Sequence, residues 1–409
     1  MSWLHTLRDF LRSPQEPAHA PKAGDEKDFA LALYRRLGAK SGNFCFSPFS
    51  IRVALAMTEA GARGETASQM REVLRGSSSG GADLHADLAA ILGRLEASGG
   101  DLVELNVANS IWCQAGAPLE AKFCDAVTGH YGGHVSAVDF RRSAEAARVT
   151  INRWVGARTR DKIPELLARR TLDPDSRLVL VNAIYFKGRW RLEFSPQITR
   201  DEAFYLEDGG TVQAPLMRRT DEFRHVQAVG FQAVELDYCG GKLSMLVLLP
   251  ERRDGKDGLR QLEAKLSAGL LDDCVAQMEH RTVRVLLPRF EIRSCPGGLP
   301  AVLSPLGMRR AFTREEADFS GINGLRPPDE EALFISNIVH QAFVEANEAG
   351  TEAAAATGLA FRAAGAAPGK PPPPPPEFRA DHPFVFAIRE RTSGEILFLG
   401  RVTDPTRGG

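Results

Sequence analysis

The sequence predicts an α+β fold with most of the chain in one interwoven domain, and three observations predict it. Helix-like segments dominate the first third. Apolar or alternating runs of strand length dominate the rest. Strand-like runs stand near both ends, which draws the two halves of the chain into one body.

The elements follow in order. Residues 25–39 predict a helix whose apolar set is Phe29, Leu31, Leu33, Tyr34 and Leu37. "NFCFSP" is a short strand stopped by Pro48, and "SIRVALAMTEAGA" is a buried helix that opens with Ser50 as candidate cap and ends near Gly61. "ETASQMREVL" and "LHADLAAILGRLEAS" are further helices, separated by the Gly/Ser-rich residues 76–81. "LVELNVANSIWC" is a strand, and "INRWVGARTR" is helical before the turn at Asp173–Pro174. "RLVLVNAIYF" is apolar almost throughout, as a strand covered on both faces must be. "AVELDYCGGKLSMLVLLP" is a hairpin with Gly240–Gly241 in its turn, and "RTVRVLLPRFEI" is a candidate strand pair. The C-terminal "HPFVFAIRERTSGEILFLGRV" is a hairpin around Thr392–Ser393–Gly394.

Composition narrows the function. The 409 residues carry a formal net charge of −1, which gives no case for nucleic acid as a partner. The basic residues Arg158, Arg160, Lys162, Arg169 and Arg170 are interleaved with acids and predict a solvated face. Six cysteines, Cys45, Cys113, Cys124, Cys239, Cys274 and Cys295, have no CxxC or zinc spacing and are expected to be reduced. No apolar run is long enough for a transmembrane helix, and no secretory signal is visible, so a cytoplasmic location is the default, with extracellular action by another route open. Trp3, Leu4, Leu7, Phe10 and Leu11 share one helical face at the N-terminus. That face suits packing on its own domain or, less directly, docking on a membrane. HExxH, GxSxG, GxxxxGK[ST] and a strand-linked GxGxxG are all missing, so the chain is not expected to be an enzyme, and no cofactor or metal is expected.

One stretch resists these categories. "GTEAAAAT", Gly350 to Thr357, holds small residues with no proline, yet Pro371 to Pro376 follow soon after. Read alone it suits a helix or a linker. Its context gives another reading. "NFCFSPFSIRVALAMTEAGARGETASQM", "LVLVNAIYFKGRW", "LPRFEI", "GMRRAFTREEADFSGI", "ISNIVHQAFVEANEAGTEAAAAT" and "HPFVFAIRERTSGEILFLGRVTDP", in this order, resemble the serpin family over about residues 25–405. The stretch "SCPGGLPAVLSPLGM" departs, because Gly297, Gly298 and Pro300 replace residues suited to a regular helix start; a local change is expected there.

The resemblance implies about nine helices on three β-sheets, a metastable native state and an exposed reactive loop at about 348–380. It also implies an N-terminal extension over 1–24, a single domain over 25–405 and a tail over 406–409. It implies a monomeric suicide inhibitor. The loop is bait for a serine protease and, once cut, inserts as a central strand, the strand addition for which serpins are a standard example. Such a strand excludes proline and bulk. With period 2, Thr351, Ala353, Ala355 and Thr357 share the buried face, Glu352, Ala354 and Ala356 share the other, and Gly350 is a hinge. The proline run lies beyond the bait bond, never enters the sheet, and is expected to be a stiff polyproline rod.

The family's register, counted from Glu348, puts the bait bond at Ala364–Gly365 and favours an elastase-like or subtilisin-like target. Phe361, Arg362 and Lys370 are rivals, with Arg362 the main alternative reactive residue. From Thr351 to Ala364 an extended strand spans about 46 Å; cutting after Arg362 shortens this tether by about 7 Å, and after Lys370 lengthens it by about 20 Å. By resemblance, Ser47, Ser50, Asn182 and His340 match the polar shutter beneath the sheet centre. Trp190 matches the aromatic of the breach where insertion begins, and Glu348 and Arg289 can pair across it. A non-inhibitory serpin acting as carrier or chaperone is the alternative, though such proteins usually carry bulky or charged hinges. A hydrolase on an unrelated α+β fold is the remaining one.

Overall fold

A computed structural model describes residues 26–75, 83–97, 102–251, 257–351 and 374–408. Ten α-helices occur among the described residues: α1 (Glu26–Leu37), α2 (Pro48–Glu59), α3 (Gly64–Arg75), α4 (Leu84–Glu96), α5 (Ala121–Tyr131), α6 (Phe140–Arg158), α7 (Gly258–Lys265), α8 (Ala268–Gln277), α9 (Leu299–Leu303) and α10 (Ser320–Asn323). The strands are β1 (Phe44–Phe46), β2 (Val103–Gln114), β3 (His134–Val138), β4 (Leu178–Arg189), β5 (Arg200–Tyr205), β6 (Thr211–Ala228), β7 (Phe231–Asp237), β8 (Leu243–Pro250), β9 (Glu279–Pro288), β10 (Phe290–Ser294), β11 (Ile335–Ala346), β12 (Gly350–Thr351), β13 (Glu377–Arg379), β14 (Phe384–Glu390) and β15 (Ile396–Val402).

One sheet has the order β10-β11-β4-β2-β3, with β12 added on β4. The other has the order β1-β15-β14-β8-β7-β6-β9-β13, with β5 added on β6. The third sheet expected from the resemblance is continuous with this one, because β6 is long enough to pair with β5 at its start, β7 at its end and β9 along most of its length.

Alternation along β4 explains its nearly unbroken apolar run. Val179, Val181 and Ala183 face α6, where Ile151 and Val155 cover them. Leu178, Leu180, Ile184 and Phe186 face the main core on the side of α2. Burying both faces removes any need for polar residues, so Asn182, at the same parity as the core-facing set, is conspicuous.

Several local expectations change. The cap of α2 is Ser47, not Ser50: Ser47 Oγ accepts the Ser50 N–H at 3.1 Å, and Pro48 opens the helix. Proline there loses nothing, because the first-turn N–H groups have no helical partner. β9 and β10 are two strands but not a pair: β9 bonds β6 and β13, whereas β10 bonds β11. Arg289 N bonds Pro215 O between them, where the chain passes from one sheet to the other. The departure at 295–300 shortens α9 to five residues, preceded by Gly298 at φ +77° and followed by a 3-10 turn. All six cysteines are free; Cys295 is exposed, unlike the apolar setting expected of it. Among the described residues no helix is long and apolar enough to cross a membrane, and no cluster of potential metal ligands occurs.

Candidate functional site

The row beneath the sheet centre is built by register. His340 of β11 stands opposite Asn182 of β4, and Asn182 stands opposite Asn109 of β2. All three point to the core, and the start of α2 meets them from below. Ser47 N–H donates to His340 Nε2 at 3.0 Å. The ring proton therefore sits on Nδ1, which bonds Asn182 Oδ1. Asn182 Nδ2 in turn faces Ser50 O at 3.0 Å, Ser50 Oγ and Asn109 Oδ1. Two hydrogens thus serve three oxygens. His340 is wholly buried, and desolvation pushes its pKa down to about 3, so it is neutral. Ser47, Ser50, Asn182 and His340 are brought together as the sequence suggests. Asn109 is the member it missed; a lone amide inside "NVANSIW" was the available signal.

At the top of the same sheet β4 and β11 part. They run parallel in register from Ile335↔Leu178 to Phe343↔Tyr185. β11 then turns at Asn347–Ala349 and returns as β12, which pairs antiparallel with β4 through Gly350↔Arg189 and Thr351↔Gly188. Thr351 is fully buried, and its Oγ1 lies 2.9 Å from the Tyr238 hydroxyl. Two glycines make this possible. A Cβ on Gly350 would fall 2.0 Å from Gly188 O, and one on Gly188 would fall 2.8 Å from the Tyr238 ring.

Trp190 supports this turn. It is buried, stacks on Tyr238 at 4.5 Å, and donates Nε1–H to Asn347 O at 2.9 Å. Its own N–H bonds Ala349 O, and Phe194 N–H bonds Glu348 O. Arg289 Nε reaches both Glu348 oxygens at 2.7 and 2.8 Å, and Thr199 Oγ1 donates to Oε1 at 2.7 Å. Burial pushes the Glu348 carboxyl up, but the bonds from Arg289 and Thr199 outweigh it and hold the pKa below its ordinary value. Tyr238 and Thr199 were missed, since nothing in their local sequence marks them.

The other expectations at this end lie outside the described residues. These are Glu352 to Thr357, the bait bond Ala364–Gly365, its rivals Phe361, Arg362 and Lys370, the first half of the proline run, and the N-terminal helix. The chain re-enters at Pro374–Pro376, exposed and without regular pairing, and Pro376 O accepts Arg284 N–H at 2.9 Å where β13 joins β9.

Comparison with known proteins fits this geometry. The family model Serpin (serine protease inhibitor) matches residues 25–405. Leukocyte elastase inhibitor A of Rattus norvegicus is 39% identical over 384 residues, covering 92% of this chain and 97% of that protein. Among solved structures, Serpin48, a highly specific serpin of the insect Tenebrio molitor, is similar with TM-score 0.80 and 31% identity, over 96% of this chain and 100% of its own. Thyroxine-binding globulin in complex with thyroxine is similar with TM-score 0.79 and 29% identity, over 93% and 98%. A match over nearly the whole sequence, on a fold in which Gly350–Thr351 pair with the end of β4, places this chain in the serpin family.

Proposed function

We propose that the chain is a suicide inhibitor of serine proteases whose cleaved loop inserts between β4 and β11. The observation that carries this reading is β12. Two loop residues already occupy the position that a new central strand would take. Continuing that register puts Ala353 opposite Phe186, Ala355 opposite Ile184, Thr357 opposite Asn182 and Phe361 opposite Leu178, the first residue of β4. Small side chains would fall beneath the most crowded part of the sheet. The Thr357 hydroxyl would meet Asn182 just where strand separation removes His340. Ala364 would lie three residues past the end of β4, as a tether that carries its cargo clear of the sheet requires.

The chemistry follows from an ordinary acyl transfer. The protease serine Oγ attacks the Ala364 carbonyl carbon, the Ala364–Gly365 C–N bond breaks, and the Gly365 amine leaves with the proton taken from the serine. Insertion then drags the acyl-enzyme to the far end of the sheet and distorts it before water can attack. Losing the oxyanion-hole geometry alone costs about 3–4 kcal/mol of transition-state stabilisation. The similarity to leukocyte elastase inhibitors and the small residue at 364 support an elastase-like or subtilisin-like target. The test is incubation with a panel of serine proteases. An SDS-stable complex and a released fragment beginning at Gly365 are expected; a fragment beginning at Ala363 would move the bond to Arg362. Cleavage of every loop with full recovery of protease would overturn the reading in favour of a carrier, the role that the thyroxine complex illustrates for a related fold.

A further inference from the structure

The stretch that departs from the family pattern opens a cleft. Cys295, Pro296 and Gly297 form one side of a cavity of about 510 Å³, a volume within the range of small-molecule sites. A Cβ on Gly297 would meet nothing within 4 Å, and α9 starts only at Leu299, so the room is what the missing helix start leaves. The facing side is the end of α1 and its connection to β1, from Arg36 to Asn43. Arg293 and Ser294 end β10 beside it, and Leu37, Phe44 and Val302 supply apolar surface. The α1–β1 connection is held in place. Arg401 donates Nε–H to Gly42 O at 3.0 Å and also bonds Lys40 O. Asn43 Nδ2 donates to Asp404 O at 2.6 Å, and Asn43 Oδ1 accepts the Thr403 N–H at 2.8 Å. The cleft is therefore formed before any ligand arrives.

Its charge is one-sided. Arg36, Lys40 and Arg293 are cations, and none of the described residues lining the cleft is acidic. Arg36, in the last turn of α1, offsets the negative end of that helix. Lys40, beyond the helix, has no such task. Arg293 lies 5.2 Å over the Phe343 ring, and its one carboxylate contact among the described residues is with Glu291, at 3.9 Å, an exposed pair that contributes little. Like charges around one space repel unless an anion sits among them. We infer that this cleft binds a small organic phosphate, its head on Lys40 and Arg293 with Arg36 beside it, its body against Leu37, Phe44 and Val302. A phosphate monoester carries close to two charges at neutral pH and three strong acceptor oxygens. That head satisfies a guanidinium fork and an ammonium together. The site includes no residue of the hinge, breach or shutter, so it stands or falls apart from the inhibitor reading.

The test uses the full chain with 1-naphthyl phosphate as probe, 1-naphthol as its uncharged control and inorganic phosphate as its head alone. Calorimetry should show saturable binding of the probe, and binding about tenfold or more weaker for each control. The double variant Lys40→Gln/Arg293→Gln changes two exposed positions and should weaken the probe by about a hundredfold. Gly297→Trp, which fills the cleft, should abolish binding; the exposed pair decides the question even if that variant misfolds. The exposed Cys295 thiol gives a local readout, because bound probe should slow its alkylation by N-ethylmaleimide, followed by peptide mass. Absence of saturable binding overturns the site. Equal affinity for 1-naphthol overturns the anion assignment, and equal affinity for inorganic phosphate overturns the role of the apolar surface. Full affinity in the double variant, or unchanged alkylation at saturating probe, puts the ligand elsewhere and overturns the inference.

Discussion

Thr351→Arg separates protease binding from sheet insertion. Thr351 is buried against Tyr238 and opposite Gly188, with two aromatic rings and backbone around it. A guanidinium there would have no carboxylate in contact, and an unpaired buried charge costs about 3–5 kcal/mol. On the insertion reading the loop of the uncleaved chain need not yet lie in the sheet, so the substituted side chain has an escape and can withdraw into solvent. Withdrawal forfeits the Thr351–Tyr238 hydrogen bond, about 1 kcal/mol. Insertion offers no such escape, because position 351 must then lie inside the sheet. The differential is about 2–4 kcal/mol, which slows insertion roughly 30- to 1,000-fold if the hinge enters before the rate-limiting step. The proposed bait bond, some 13 residues along the chain, is untouched. Time courses with an elastase-like protease, read on denaturing gels, should show the loop cut at the wild-type rate while covalent complex gives way to free protease and cleaved inhibitor. Glu352→Gln, which two-residue alternation would put on the opposite face of an inserted strand, should behave as wild type. If Thr351→Arg traps protease with unchanged stoichiometry, the face assignment and the entry point are both wrong.

Three further outcomes follow from the same geometry. Gly350→Val sets a side chain against Gly188 O, so β12 cannot pair, and it should lower the yield of covalent complex without changing the cleavage rate. Arg289→Gln leaves the buried Glu348 carboxylate with the Thr199 hydroxyl and a backbone N–H but without its cation, and should lower unfolding stability by about 1 kcal/mol, discounted because Arg289 is half exposed. His340 has its pKa lowered to about 3 by burial, so its neutral form is the folded one. Stability is full above the ordinary value near 6.5, is lost as pH falls below it, and continues to fall until about 3. By pH 5 the loss is on the order of 2 kcal/mol, and denaturant melts at pH 7 and pH 5 should differ by that amount less in His340→Gln than in wild type.

Much of the fold was legible because its strands are buried on two faces or alternate cleanly. "RLVLVNAIYF" and the C-terminal hairpin needed no partner to be recognised. β6 was not legible: charges crowd "RRTDEFRH" and Pro215 interrupts it, and only its neighbours on both sides explain why it is extended. β9 and β10 read as a pair because adjacent strands usually are; their separation into two sheets depends on contacts distant in sequence. In the site, the hinge and the four shutter residues follow from the motifs that carry the resemblance. Asn109, Tyr238 and Thr199 do not, since their roles arise from register across strands and from a stack made between residues 190 and 238. Ser50 and Ser47 exchanged roles because a proline can open a helix as well as stop a strand.

The most direct test of insertion is the melting temperature of the chain before and after cleavage within the loop. A protease that cuts but is not trapped serves, followed by its removal. The register begun by β12 allows roughly ten new ladder residues, each worth about 1 kcal/mol net as a hydrogen bond in a buried strand. At roughly 1.2 °C per kcal/mol for a chain of this size, cleavage should raise the unfolding temperature by about 12 °C. Superimposable melting curves for intact and cleaved protein would contradict the account.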